Sequence, residues 1–223
     1  MMKGERMYRL NFEMLVIQLV AVVLAMSIHE MAHGLAAYFL GDSTAKARGR
    51  ISLNPLAHID WLGIICLMFF GFGWAKPVPI NPYNYKDPKS GMVWTAFAGP
   101  IANCVLSFVC VFLFTLIASI SGSFAYSTIG SFILSLLSNT AVVSAGFGIF
   151  NLLPIPPLDG SRIFWAFLPD RDYYRVNNPP QWVTFAIFIL IFSGLLSYPL
   201  SLMRSTLIGW MSSASTAIVG LFL

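Results

Sequence analysis

Four stretches of this chain are apolar for longer than the hydrocarbon core of a bilayer is thick. Residues 14–40 hold one formal charge, Glu30, and residues 92–120, 127–153 and 181–203 hold none. A helix crosses the ~30 Å core in about 20 residues. In hydrocarbon, every backbone N–H and C=O has to find its partner inside the structure, so such runs predict membrane helices. Charged residues make up 10% of the chain and hydrophobic ones 57%, whereas a soluble domain carries about 25% charged residues. Residues 61–74 are apolar but short and interrupted by glycine, which suits a re-entrant loop or a short span. Residues 181–203 read as one span, and the apolar tail from Gly209 reads as a last helix packed on the bundle. The expectation is an all-α polytopic membrane protein with about five to six membrane helices or re-entrant segments. It forms a single integral membrane domain over 1–223.

The segments between the runs carry the charge. MMKGERMYR followed by an apolar run imitates a signal peptide. The apolar character continues to Leu40, too far for an h-region, so the segment is read as retained. Residues 41–60 are polar; Thr44, Arg48, Arg50 and Ser52 alternate with smaller or apolar residues, which signals a short membrane-associated strand over 44–53. Residues 75–91 carry four prolines and read as an extended loop, and 154–170 as a Pro-broken stretch followed by a short helix. RDYYRVNNPP, at 171–180, reads as a loop. The net charge is +4, with basic residues in small groups between apolar runs: Lys46, Arg48 and Arg50, then Lys76, Lys86 and Lys89. That spacing fits loops at a cytoplasmic membrane surface and not a nucleic-acid stripe. If 61–74 dips in and returns, loops 41–60, 75–91 and 170–180 share the cytoplasmic side. Lys3, Arg6 and Arg9 then lie opposite, against the same rule. Cys66, Cys104 and Cys110 are odd in number, form no C-x-x-C and sit in apolar runs, so they read as buried thiols.

Inside the first run stands SIHEMAHG, residues 27–34. An ionisable side chain at the bilayer centre costs roughly 2.5–3.5 kcal/mol on insertion scales, so three together need a partner. His29 and His33 are four residues apart and share one helix face. That spacing lets two imidazoles bind one zinc ion, with Glu30 beside the face, placed to act on a water rather than to bind metal. Catalytic zinc usually takes three protein ligands. The other histidine, His58, lies in the polar loop, as a ligand, a loop hydrogen-bonder or a helper. The stronger candidate is Asp159 in FNLLPIPPLDGSR, where Pro154, Pro156 and Pro157 stop the helix and irregular backbone at membrane depth can turn a ligand inward. The competing reading of Asp159 is a plain helix N-cap.

HEMAH at 29–33 and NLLPIPPLDG at 151–160 together resemble the site-2 protease family of intramembrane zinc metalloproteases, whose second motif reads N-x-x-P-x-P-x-L-D-G. SLNPLAHID, GWAKPVPIN and AGPIAN (98–103) resemble prokaryotic members, and the likeness covers roughly residues 15–165. The resemblance implies one Zn2+ per chain held by His29, His33 and Asp159, with Glu30 as general base and acid. It implies that Asn151 helps hold the scissile peptide or its oxyanion; the alternative for Asn151 is a helix-end hydrogen bond. Asn103 reads as a packing or backbone-bonding residue. The implied activity is hydrolysis of peptide bonds in or near transmembrane segments of other proteins, that is, regulated intramembrane proteolysis. The implied setting is a prokaryotic cell membrane, surrounded by lipid, with the active site toward the cytoplasm. The chain has no room for a PDZ or CBS domain, so selection is expected from loops or separate partners. Other readings are a non-catalytic zinc-binding scaffold or chaperone, which does not need Glu30, and a metal transporter, which should line several spans with ionisable groups.

Overall fold

The structure, a computed structural model, describes residues 12–70, 74–120 and 122–222. Three of its helices are long and apolar enough to cross a membrane: α1 (Phe12–Phe39), α4 (Pro88–Ile120) and α6 (Thr128–Asn151). α1 has 28 residues and is about 42 Å long at the helical rise. Its buried residues include Ile17, Ala21, Ala25, His29, His33 and Ala37, one residue in every four. This is a single inclined i, i+4 row, the kind of ridge that packs into a neighbouring helix. α4 answers with Gly91, Thr95, Gly99, Asn103, Ser107 and Val111, also every fourth residue and also buried. α6 buries Ala141, Ser144, Ala145 and Gly148. Small residues let backbones approach where lipid removes the hydrophobic drive between helices. Two hydroxyls tie the pair: Ser107 Oγ donates to the Ala141 carbonyl at 2.9 Å, and Ser144 Oγ to the Asn103 carbonyl at 3.0 Å. Bonds of this kind average about 0.6 kcal/mol in a membrane protein. The three helices pack on one another, and large apolar residues such as Val20, Ile101, Val105 and Ile129 face outward.

Shorter elements complete the chain: α2 (Thr44–Ala47), α3 (Trp61–Phe70), α5 (Gly122–Ala125), α7 (Asp159–Phe164), α8 (Asp170–Asn177), α9 (Gln181–Phe192) and α10 (Ser197–Val219). α3 has 10 residues, about 15 Å, half the depth of the hydrocarbon core. Its flanks meet: Ile59 and Ala75 form an antiparallel bridge, and the Lys76 N–H donates to the His58 carbonyl at 2.9 Å. The chain before α3 and the chain from Ala75 onward therefore lie together at one end, as the flanks of a re-entrant segment do.

Three expectations from sequence are corrected. The 44–53 stretch holds the helical turn α2, and no strand is found among the described residues. The cause is Asp42, whose Oδ1 accepts from both the Thr44 N–H and the Thr44 hydroxyl and starts a turn, while Arg50 folds inward to donate to the Lys76 carbonyl. Residues 170–177 are helix α8 and not loop, with Asp170 and Asp172 in its first turn, Arg175 in its last, and Tyr173 buried. Those charges suit the helix dipole at both ends. The apolar run from Gln181 breaks at residues 193–196 into α9 and α10, because Gly194 takes φ +79 and Ser193 caps the preceding turn through Leu190. α10 packs on α4 and α6.

The basic loops gather at one end of the bundle. Fully buried Asp42 accepts from the Asn81 N–H at 2.7 Å and the Asn84 amide at 2.7 Å, which staples the end of α1 to the 74–84 strap. Lys89 bonds the Leu168 carbonyl and pairs with Asp170 at 3.2 Å. Burial alone would raise the Asp42 carboxyl, but the Thr44 hydroxyl, the Asn81 N–H and the Asn84 amide outweigh it and hold it below the usual carboxylate range. A folded value below the unfolded one gives stability that is full above about pH 4 and lost as pH falls through the folded value. Asp42→Asn should lower the unfolding temperature at pH 7, by the equivalent of roughly 1–3 kcal/mol for unsatisfied buried donors. The gap to wild type should narrow as pH is taken below 4. Thermal unfolding in detergent across that range checks it; a constant gap would contradict the role given to the carboxylate.

Candidate metal centre

His29 and His33 lie on the buried row of α1 and are almost wholly enclosed. Their rings meet edge to face with centroids 4.5 Å apart. Asp159 arrives from the far end of the α6 segment. Prolines 154, 156 and 157 cannot extend α6, and the chain instead turns through short bonds from Leu153 N–H to the Phe150 carbonyl and from Leu158 N–H to the Ile155 carbonyl. α7 then begins at Asp159, whose side chain is not the cap: Leu158 holds that position, with no side-chain capping bond. Gly160 is required by contact, since a Cβ there would stand 2.2 Å from the Leu152 carbonyl oxygen. The aspartate is thus presented by a turn pressed directly onto the end of α6.

The three side chains converge. His29 Nε2 lies 3.0 Å and His33 Nε2 3.2 Å from Asp159 Oδ2, and the two Nε2 atoms are 3.0 Å apart. Ligands about 2.0–2.1 Å from a tetrahedral zinc stand about 3.3–3.4 Å from one another, so the triangle fits with a shift of a few tenths of an ångström. Asp159 Oδ2 is buried and has no hydrogen bond of normal geometry. A cation among two imidazole nitrogens and this oxygen satisfies all three. Among the described residues, this is the group of His, Cys, Asp and Glu close enough to hold a metal ion.

The surroundings orient the two imidazoles. His33 Nδ1 lies 2.7 Å from the Thr95 carbonyl, an N–H donor geometry that leaves Nε2 free to bind. Thr95 is held in turn by the Tyr85 hydroxyl, 3.0 Å from Thr95 Oγ1. Burial pushes the Tyr85 phenol up, so it keeps its proton. Phe147 of α6 packs against the His29 ring with centroids 4.8 Å apart. Gly99 lies against both imidazoles: a Cβ there would stand 2.6 Å from His29 Cε1 and from His33 Nε2. Sequence reasoning missed Gly99; its signal was the four-residue spacing from Asn103 in AGPIAN.

Glu30 stands outside the triangle. Its Oε2 accepts the Val78 N–H of the strap at 2.9 Å. The buried Asn151 amide donates to the Phe147 carbonyl at 3.0 Å, within its own helix. His58 is buried in the loop, with Nε2 2.8 Å from the Ser52 carbonyl, and does not join the triangle. Cys66, Cys104 and Cys110 are free thiols.

Comparison with known proteins follows the same lines. The pattern of peptidase family M50 matches residues 116–195, which include Asn151 and Asp159. The chain is 35% identical over 175 residues to "Putative zinc metalloprotease YwhC" of Bacillus subtilis, a match that covers 78% of each chain. The chain belongs to peptidase family M50, the site-2 protease family. This M50 chain is also 33% identical over 165 residues to MJ0611 of Methanocaldococcus jannaschii, covering 69% of it and 72% of the relative. It is 25% identical over 174 residues to Rip2 of Mycolicibacterium smegmatis, covering 76% of it and 64% of the relative. Both relatives carry the same style of zinc metalloprotease name. No solved structure matches. The span of the family pattern holds the aspartate but not the histidines, so the pairing of the two motifs in this M50 chain stands on the distances above.

Substitutions should separate ligands from neighbours. Asp159→Ala should lower zinc affinity by more than about 100-fold, and Gly99→Ala, which forces the rings apart, by roughly 10–100-fold. His58→Ala should leave it unchanged. Zinc content of the purified variants after dialysis against a chelator checks this. One zinc per chain in Asp159→Ala would remove the aspartate from the ligand set.

Proposed function

We propose that this chain is an intramembrane zinc metalloprotease that hydrolyses peptide bonds in or near transmembrane segments of other proteins. The observation that carries the reading is the convergence of His29, His33 and Asp159, with Glu30 adjacent in sequence yet outside the triangle. A zinc ion held there would supply a Lewis acid for the scissile carbonyl and make a water acidic enough to attack near neutral pH. Glu30 then takes the proton of the attacking water and returns it to the leaving amine nitrogen. Pure ligation does not need a carboxylate in that position, which disfavours a zinc-binding scaffold. Ionisable groups gathered at one site, and not in series along several spans, disfavour transport. Asn151 serves the scissile peptide or its oxyanion once its amide turns from the Phe147 carbonyl, since an amide N–H can donate to developing negative charge.

The three basic loops meet at one end of the bundle, and the excess of Lys and Arg there supports a cytoplasmic position for that end. The histidines lie in the half of α1 nearest that end, so water is expected from the cytoplasmic side. A helical substrate shields its carbonyls, so the cut segment must unwind, and unwinding in hydrocarbon leaves polar groups unsatisfied at several kcal/mol each. Residues 44–53 do not provide an edge for it to pair with. The backbone that lies beside Glu30 is the strap around Val78. Helix-weakening residues such as Gly, Pro or Asn near the cut lower the remaining cost.

One experiment tests both parts. Purified wild type and Glu30→Gln are assayed in liposomes on matched substrate helices of graded stability. Glu30→Gln should keep its zinc and lose about 10²–10⁴-fold in cleavage rate, and wild type should cut weakened helices faster than Leu-substituted ones. Loss of zinc in Glu30→Gln, or unchanged cleavage, contradicts the catalytic role. Equal rates across the helix series contradict the unwinding requirement.

A further inference from the structure

The second nitrogen of His29 has no backbone carbonyl like the one that holds His33. It faces a side chain: Asn103 Nδ2 lies 3.4 Å from His29 Nδ1. Asn103 is fully buried, and its Oδ1 has no hydrogen-bond donor among the described residues. His29 Nε2 points at Asp159 and at His33 Nε2. For Nε2 to offer its lone pair to a cation, the neutral ring must carry its proton on Nδ1. An Nδ1–H facing an amide NH₂ sets donor against donor. Half a turn of the amide about Cβ–Cγ exchanges N and O within the same volume and gives the orphaned Oδ1 a donor.

We propose that Asn103 is a positioning residue of the metal centre: its Oδ1 accepts the His29 Nδ1–H and fixes the imidazole with Nε2 toward His33 and Asp159. The proposal rests on the reading of this site as a zinc centre. It makes α4 the orienting helix for both ligands. Thr95, Gly99 and Asn103 follow at four-residue steps on its buried row: a carbonyl for His33, space for both rings, and an amide oxygen for His29. The residue is anchored for this work, because its carbonyl accepts Ser144 Oγ at 3.0 Å and its Cβ lies 3.3 Å from where a Cβ on Gly148 would stand. Packing alone would be met by an apolar side chain of the same size, and leaves unexplained why an amide faces the ring in a row otherwise made of small or apolar residues at this depth.

The test uses the full chain in detergent, with zinc affinity read by competition with a chromophoric chelator and the visible spectrum of the Co2+-substituted protein as a second signature. Asn103→Asp keeps an acceptor and loses the donor; Asn103→Leu keeps the size and loses both. Asn103→Asp is expected to bind zinc within threefold of wild type and to keep its Co2+ spectrum. Asn103→Leu should bind about 10–100-fold more weakly, the usual effect of losing an outer-shell partner, at an unfolding temperature of the metal-free chain close to wild type. Asn103→Leu with wild-type affinity overturns the proposal, and so does Asn103→Asp with affinity lowered tenfold or more. Should Asn103→Leu not fold, the Asn103→Asp result decides alone in the same two directions. A wild-type chain that holds no zinc overturns the zinc reading itself and this proposal with it; zinc-loaded wild type with either adverse variant result overturns only the role of Asn103.

Discussion

Two imidazoles and a carboxylate enclosed in an apolar bundle have to be satisfied by one another, by their helices or by a cation. Most of this structure serves that requirement. The i, i+4 row of α1 brings both histidines to the α4 face in line with alanines, so polar groups enter the helix contact without widening it. α4 meets them with glycine, threonine and asparagine at the same period. A bulkier row would hold the helices apart and leave the rings with neither carbonyl nor amide partner. The proline-rich turn after α6 then brings the carboxylate to the two nitrogens at 3.0 and 3.2 Å.

Much of this was legible in the sequence because periodicity and composition carry it. Long apolar runs gave α1, α4 and α6 to within four residues at either end, and H-E-x-x-H on a helix put two imidazoles on one face without any tertiary information. Prolines 154, 156 and 157 marked the break that frees Asp159. What the sequence hid depends on side chains meeting across elements. Asp42 was one polar residue in a polar loop, yet its carboxylate organises Thr44, Asn81 and Asn84, and that bonding turns 44–47 into a helical turn where alternation suggested a strand. α8 was hidden by its polarity, and the break between α9 and α10 turns on a single glycine with positive φ. Asn103 read as a packing or backbone-bonding residue and Gly99 was not singled out until α4 was seen against α1, since neither has a chemistry of its own that points to a metal.

The loops at the polar end belong to the same account. Asp42 ties the strap to the end of α1, Arg50 bonds the strap at Lys76, and Val78 between them meets Glu30. The carboxylate proposed as the base is therefore held from outside the membrane helices, by a segment whose own position depends on buried hydrogen bonds. The two histidines sit on a long helix and Asp159 on a turn pressed against another, whereas Glu30 is attended by the strap.

The most direct test of the central claim is X-ray absorption at the zinc edge of the purified, zinc-loaded chain. The account predicts a first shell of nitrogen and oxygen at about 2.0–2.1 Å, with the multiple-scattering pattern of two imidazoles that is lost in a His29→Ala, His33→Ala double variant. A shell containing sulfur at about 2.3 Å, or one without imidazole scattering, would contradict it.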